Sequence, residues 1–282
     1  MITSGWVEVA DRVLQRRYEP LDVSVCLVVG DDDLLVVDTR CNPREGAEVL
    51  HDVAEVSALP VRHVVNTHAH YDHTFGNAAF AATATIYGHH RVPAHLAEHE
   101  GPRLAAWRAD PGAQPHHAWA DVELVPPHVL LHDELTLDLG DRRVRLVPLA
   151  PGHTDTDLVV HVPDAATWIV GDVVEESGPP MYGSGSFPFG WPDVLDGLAA
   201  QLRASDVVVP GHGAVVDRAF VRAQARTLRH VAEGIRDGVR AGTPHEVVID
   251  RVCARTGLPR EIVGPAVARG AALLAASGQA TG

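Results

Sequence analysis

Residues 67–77 read THAHYDHTFGN. His68, His70, Asp72 and His73 fall within six residues, directly after the apolar run VRHVV at 61–65. One account is a polar surface loop, since the chain carries 18 His among its 282 residues. The other is a metal-binding loop, and that account makes a demand: further ligands must follow later in the chain.

They do, and each follows a strand-like run. His153 sits in PLAPGHTD after VRLVPL, Asp172 in IVGD after TWIV, and His212 in VVPGHG after DVVV. Gly152, Gly171 and Gly211 accompany them, where a residue without a Cβ lets the backbone turn and redirect the next side chain. Imidazole and carboxylate are suitable donors for borderline divalent ions such as zinc. His68 and His70, two apart, can reach one ion from an extended segment, while Asp72 and His73 turn toward a second. Seven donors exceed what one tetrahedral ion needs. Two ions ~3.5–4 Å apart, bridged by a carboxylate and a water, would use them all.

The rest of the chain predicts the frame for such a site. CLVVG and LLVVDT flank Gly30 and three aspartates as a hairpin, and residues 43–58 have helical spacing. Residues 92–109 are helical in outline. From residue 123 the pattern becomes a meander: LTLDL, VRLVPL, DLVVHV and ATWIV. Two strand-rich blocks with helices between and around them predict two mixed sheets covered by helices. Residues 175–192 form a long aperiodic loop, and residues 218–282 read as helices joined by Gly-Pro turns. The expected division is therefore 1–217 for the sandwich and 218–282 for a helical extension.

A formal charge of −14 argues against an extended nucleic-acid groove, which needs Lys and Arg. The three scattered cysteines suggest free thiols in a reducing compartment. The N-terminal residues lack the pattern of a secretion signal, and no apolar run has membrane-spanning length. The expectation is a cytoplasmic protein with no membrane or nucleic-acid partner.

HAHYDH with the later GHT, GD and GHG resembles the metallo-β-lactamase superfamily, whose signature is HxHxDH, over roughly residues 5–217. The resemblance implies a four-layer αββα sandwich, here with a C-terminal helical extension. It implies that His68, His70 and His153 bind one divalent ion, that Asp72, His73 and His212 bind another, and that Asp172 bridges them. Zinc is the expected metal, with iron or manganese as alternatives. A bridging Asp is more similar to the glyoxalase II, lactonase and phosphodiesterase branches than to the true β-lactamases. The implied activity is hydrolysis of a lactone, ester, thioester or amide/lactam in a small molecule by hydroxide generated at a metal, with Asp72 as the catalytic carboxylate. Class B-like lactam cleavage, phosphodiester hydrolysis and iron-dependent persulfide oxidation are the alternatives, followed by a metal-binding module without turnover.

The loop after Asp172 should lie beside the metals, so Glu176, Tyr182, Phe189 and Trp191 are candidates for substrate contact. Asp38, in VVDT, is read either as a support to the ligands or as a turn residue. The Ala-rich final helix would suit a pocket cap or a homodimer interface equally.

Overall fold

The computed structural model describes residues 5–114 and 116–279. One half-sheet contains β1 (Val7–Ala10), β2 (Val13–Tyr18), β3 (Val23–Val29), β4 (Leu34–Val37), β5 (Val61–Val65), β6 (Thr85–His89) and β7 (Val129–Leu131). The other contains β8 (Leu135–Asp138), β9 (Arg143–Pro148), β10 (Leu158–Val162), β11 (Thr167–Glu175) and β12 (Val207–His212). The halves join through a single register pair, His212 with Val23. Around them lie α1 (Pro43–Ala54), α2 (Tyr71–Thr74), α3 (Val92–His95), α4 (Gly101–Ala109), α5 (Trp191–Gln201), α6 (Arg218–Arg240), α7 (His245–Thr256) and α8 (Arg260–Gln279).

Strand alternation builds the layers. Cys26, Val28, Leu35, Val37 and Val65 face Leu146, Leu158, Val160, Ile169 and Val209 of the opposite half, forming an apolar seam between the sheets. Their neighbours Val25, Leu27, Leu34, Val36 and Val64 point the other way, onto Val49 and Val53 of α1. On the far side Val159, Trp168 and Val170 meet Leu195 and Leu198 of α5. Strands buried on both faces must read as continuous apolar runs, which is why LLVV and VVVP carry no alternation. The order is helix, sheet, sheet, helix: an αββα sandwich.

The C-terminal helices enlarge the second outer layer. Asp217 caps α6 by accepting from Phe220 N at 2.9 Å. Leu228, Val231 and Ile235 of α6 and Val263 and Val267 of α8 join the same apolar cluster as α5. Among the described residues, no helix is long and apolar enough to cross a membrane.

Two features depart from the sequence-based reading. β1 and β2 pair as a hairpin on β3, although VLQRRY shows too mixed a pattern to announce a strand. β11 does not end before Asp172 but runs on to Glu175, with register shifts between Ile169 and Gly171 and between Gly171 and Glu175. Asp172 therefore lies within an irregular stretch of strand, and the irregularity, not the strand's end, aims its carboxylate.

Candidate metal centre

The seven residues come from four separate places on one rim of the sandwich. His68 follows β5, and His70 is the N-cap residue of α2, which carries Asp72 and His73. His153 lies between β9 and β10, in a turn tied down by Asp157, whose two carboxylate oxygens accept from Thr154 N at 3.0 and 3.1 Å. Asp172 belongs to β11, and His212 is the last residue of β12. Two glycines are required here. Gly171 has φ +57°, and a Cβ on it would meet Thr67 at 2.6 Å. A Cβ on Gly211 would lie 1.8 Å from Asp172 Oδ1, so only glycine leaves room for the carboxylate.

The donor atoms form two groups, His68, His70, His153 and Asp172 in one and Asp72, His73 and His212 in the other. His70 Nδ1 is 3.0 Å from both His68 Nε2 and His153 Nε2. In the second group His212 Nε2 is 3.4 Å from His73 Nε2 and from Asp72 Oδ2. Asp172 Oδ2 is 3.6 Å from His68 and His153 Nε2 and 3.4 Å from His212 Nε2, so this one oxygen sits between the groups. Donors bound to a common tetrahedral zinc at ~2.0–2.1 Å stand about 3.3 Å apart. The spacing fits.

The outer edges of the rings strengthen this test. His73 Nδ1 donates to Asp38 Oδ2 at 2.8 Å, His212 Nδ1 to the Leu21 carbonyl at 2.8 Å, and His70 Nε2 to the Ser184 carbonyl at 3.2 Å. The Thr67 hydroxyl spends its proton on Asp38 at 2.7 Å, so it accepts from His68 Nδ1 at 3.1 Å. Each partner can only accept, which assigns the proton of the neutral ring to the outer nitrogen. Four lone pairs then face inward toward one another and two carboxylates, and Asp172 Oδ1 has no hydrogen-bond partner. Such a donor set fits divalent cations, with the outer partners orienting the rings.

The electrostatics divide along the same line. Burial holds His68 and His70 well below the usual histidine range and His153 down to about 4, so these three rings stay neutral and able to coordinate. Burial also opposes a charge on His73, but Asp172, Asp38 and Asp72 outweigh it and raise that ring well above its ordinary value. His212 is pushed up to about 12 against the same burial, by Asp172 and Asp72. The reciprocal attraction overcomes the burial of Asp72 and lowers it to about 2. The second group is thus a well for positive charge.

A cavity of about 380 Å³ opens onto the centre, lined by His70, Asp72, His153, Asp172 and His212. None of the four predicted substrate residues is on its wall. Trp191 is fully buried, donates to the Val173 carbonyl at 2.9 Å and packs edge-on against His153 and Tyr182. Tyr182 is buried in the same cluster. Phe189 packs beside Arg236 of α6, and Glu176 accepts from Ala214 N at 2.7 Å. The large rings of this loop turn inward because burial stabilises them. Its small and flexible residues, Ser177, Gly178, Pro179, Met181 and Gly183, face the cavity instead. Leu21, Tyr71, Glu175 and, from α8, Ile262 also line it.

Arg103 of α4 also lines the cavity, and nothing in the sequence around it marked it out. Asp38 combines both roles expected of it. Its carboxylate holds Thr67 and His73, and its backbone takes the left-handed φ of +68°.

The model of the metallo-beta-lactamase superfamily matches residues 18–212. Among solved structures, the chain is similar to a metallo-beta-lactamase from Pontibacter korlensis, with TM-score 0.63 and 18% identity over 78% of this chain and 98% of that one. A metallo-beta-lactamase from Erythrobacter litoralis gives TM-score 0.61 and 19% identity, over 79% and 94%. The sec-alkylsulfatase Pisa1 from Pseudomonas sp. gives TM-score 0.73 and 16% identity over 93% of this chain but 49% of its own, so the chain spans about half of that enzyme.

Proposed function

We propose a reaction from one premise: the chain belongs to the metallo-β-lactamase superfamily. It is a metal-dependent hydrolase with two clusters suited to a dinuclear site. Our reading adds that the metals are zinc and that the substrate is a small molecule with a carbonyl-type bond, a lactone, ester, thioester or amide. The bridging position of Asp172 aligns it with the glyoxalase II and lactonase branches. Residues 1–217 would be the family domain and 218–282 its helical extension.

His68, His70 and His153 would hold one ion, Asp72, His73 and His212 the other, with Asp172 between them. When bound, the ions polarise a carbonyl oxygen and lower the pKa of a water from about 16 toward ~7. Asp72, on the cavity wall beside His212, orients the attacking water and takes up its proton. Asp38 and the Leu21 carbonyl keep His73 and His212 turned inward. Trp191 and Tyr182 act from behind, fixing His153, while Leu21, Pro179, Met181 and Ile262 receive the apolar body of the substrate.

The observation that carries this reading is the convergence of seven donors, with the outer nitrogens of four of the five imidazoles already hydrogen-bonded. It is tested by measuring bound metal and then turnover, before and after chelation, on a lactone, an ester, a thioester, a lactam and a phosphodiester. Two zinc ions per chain and chelator-sensitive cleavage of a carbonyl substrate are expected. One ion only, or iron with oxygen consumption on a persulfide, would overturn it. Phosphodiester hydrolysis is a second reading, supported by Arg103, a cation on the cavity wall. It ranks lower because Arg103 is the one Lys or Arg among the cavity-lining residues.

A further inference from the structure

We propose that Arg103 binds a carboxylate that the substrate carries away from the bond that breaks. The substrate class would then be an acyl compound with an apolar body and an anionic end. This rests on the hydrolase reading above and narrows its substrate.

Arg103 is held as a preformed receptor. Its Nη2 donates to Ser184 Oγ at 2.6 Å, and its Nη1 lies 3.3 Å from Glu100 Oε2. The guanidinium carbon is 5.6 Å from the ring centroids of both Tyr71 and Trp107. The pair is asymmetric. Glu100 is wholly buried and absent from the cavity wall, whereas the Arg103 side chain is 25% exposed and lines the cavity. The carboxylate therefore backs the cation while the cation faces the substrate. Five N–H donors in a planar fork are more than these two contacts use, and that fork matches a carboxylate.

The local backbone is arranged around this pair. Residues Leu96–Glu100 form a π-helical turn between α3 and α4, and such insertions cluster at functional sites. Glu100 ends that turn, with no exposure and with Oε2 lacking a hydrogen bond of good geometry. Burying a carboxylate in this way is costly unless it holds a charge in place. Ser184 then fixes the distance to the metal centre. Its hydroxyl accepts from Arg103 and donates to Glu100 Oε1 at 3.3 Å, while its carbonyl accepts from His70 Nε2 at 3.2 Å. Arg103 is thus coupled to one flank of the centre, through His70, rather than placed among the donors. Leu21, Pro179, Met181 and Ile262 give the rest of the wall an apolar stretch, while its further carboxyl group, Glu175, lies beside His153 at the metal centre. A guanidinium on one flank and an apolar stretch of wall select an amphiphilic anion.

The test compares two 4-nitrophenyl esters on the zinc-loaded protein, the glutaric acid monoester and the neutral pentanoate. Wild type should favour the anionic ester about 10- to 100-fold in kcat/KM, the range expected of hydrogen bonds to a charged group. Arg103→Met should erase that preference through KM and change the neutral ester far less than the anionic one, and Arg103→Lys should retain part of it. Arg103→Gln, which preserves packing, should show the same selective loss if the methionine variant is poorly folded. Equal loss on both esters, or no preference in wild type, would overturn the proposal. So would Arg103-dependent cleavage of bis(4-nitrophenyl) phosphate without any carboxylate preference. If neither ester is cleaved, the hydrolase reading is at fault, and calorimetry with glutarate against butyrate still decides. Tighter glutarate binding that disappears in Arg103→Met supports the proposal, and equal binding defeats it.

Discussion

Replacing Asp38 by Asn removes one charge without removing the side chain, and the structure says where the damage should stop. Asp38 Oδ1 accepts from Thr67 N at 2.8 Å, while Oδ2 accepts from Thr67 Oγ1 at 2.7 Å and from His73 Nδ1 at 2.8 Å. An amide in place of Oδ2 would set a donor against the donor on His73. The ring would have to move its proton to Nε2, the atom facing Asp172 Oδ1 at 3.2 Å, and a protonated Nε2 cannot coordinate. Turning the amide over restores His73 but sets N–H against the Thr67 backbone donor. Loss of such an outer partner weakens metal binding about 10- to 100-fold, or about 1.4–2.8 kcal/mol. Asparagine tolerates the left-handed backbone at this position, so the fold should persist. Zinc titration against a chelating dye should show the ion of the His73 group weakened by that factor and the ion of the His68 group, which Asp38 reaches only through the Thr67 hydroxyl, weakened less. Equal weakening of both ions, or of neither, would refute the direct coupling of Asp38 to the Asp72, His73 and His212 group.

Asp72→Ala should lower kcat roughly 10²–10⁴-fold, with an unchanged far-UV circular dichroism spectrum; turnover at the wild-type rate would remove Asp72 from the mechanism. Gly211→Ala should cost bound metal, since its Cβ would occupy the place of Asp172 Oδ1; an unchanged metal content by elemental analysis would contradict the geometry. In the metal-free protein His212 is raised to about 12, so its stabilising contribution is complete below the unfolded value near 6.5 and fades as pH rises toward 12. Asp157, raised by burial to about 8, loses stability in the same direction, from about 4 to 8. Asp72, lowered to about 2, is stabilising above about 4 and ceases to be so as pH falls through 2. The metal-free melting temperature should therefore decline from pH 6.5 to 9, and zinc should flatten that decline; a flat metal-free profile would count against these shifts.

The sandwich was legible because its strands are buried on both faces and read as apolar runs, and because HAHYDH is dense enough to stand out locally. The isolated His153, Asp172 and His212 were legible through the glycines beside them. What escaped was set by distant contacts. The path of β11 through Asp172 depends on Gly171 lying against Thr67 and on Gly211 leaving space, neither of which is local in sequence. The aromatic residues of the loop after β11 suggested a pocket wall, yet Trp191 and Tyr182 gain more from the core, and the wall fell to Met181 and Pro179. Arg103 gave no signal, because an arginine on a helix is ordinarily a solvated residue. Glu100 stands only three residues before it, but the fold alone brings Ser184 and the cavity to it.

Ile262 on the cavity wall changes what counts as the working unit of this protein. The family match ends at His212, but Ile262 lies beyond it, and Arg269 of the same helix donates to the Ser186 carbonyl at 2.9 Å. A chain cut after His212 would keep all seven candidate donors and lose part of the cavity wall. On the proposed function, selectivity is then adjustable from a helix that supplies no donor to the centre. A redesign for bulkier acyl groups should begin at residue 262, leaving the chemistry of the rim untouched.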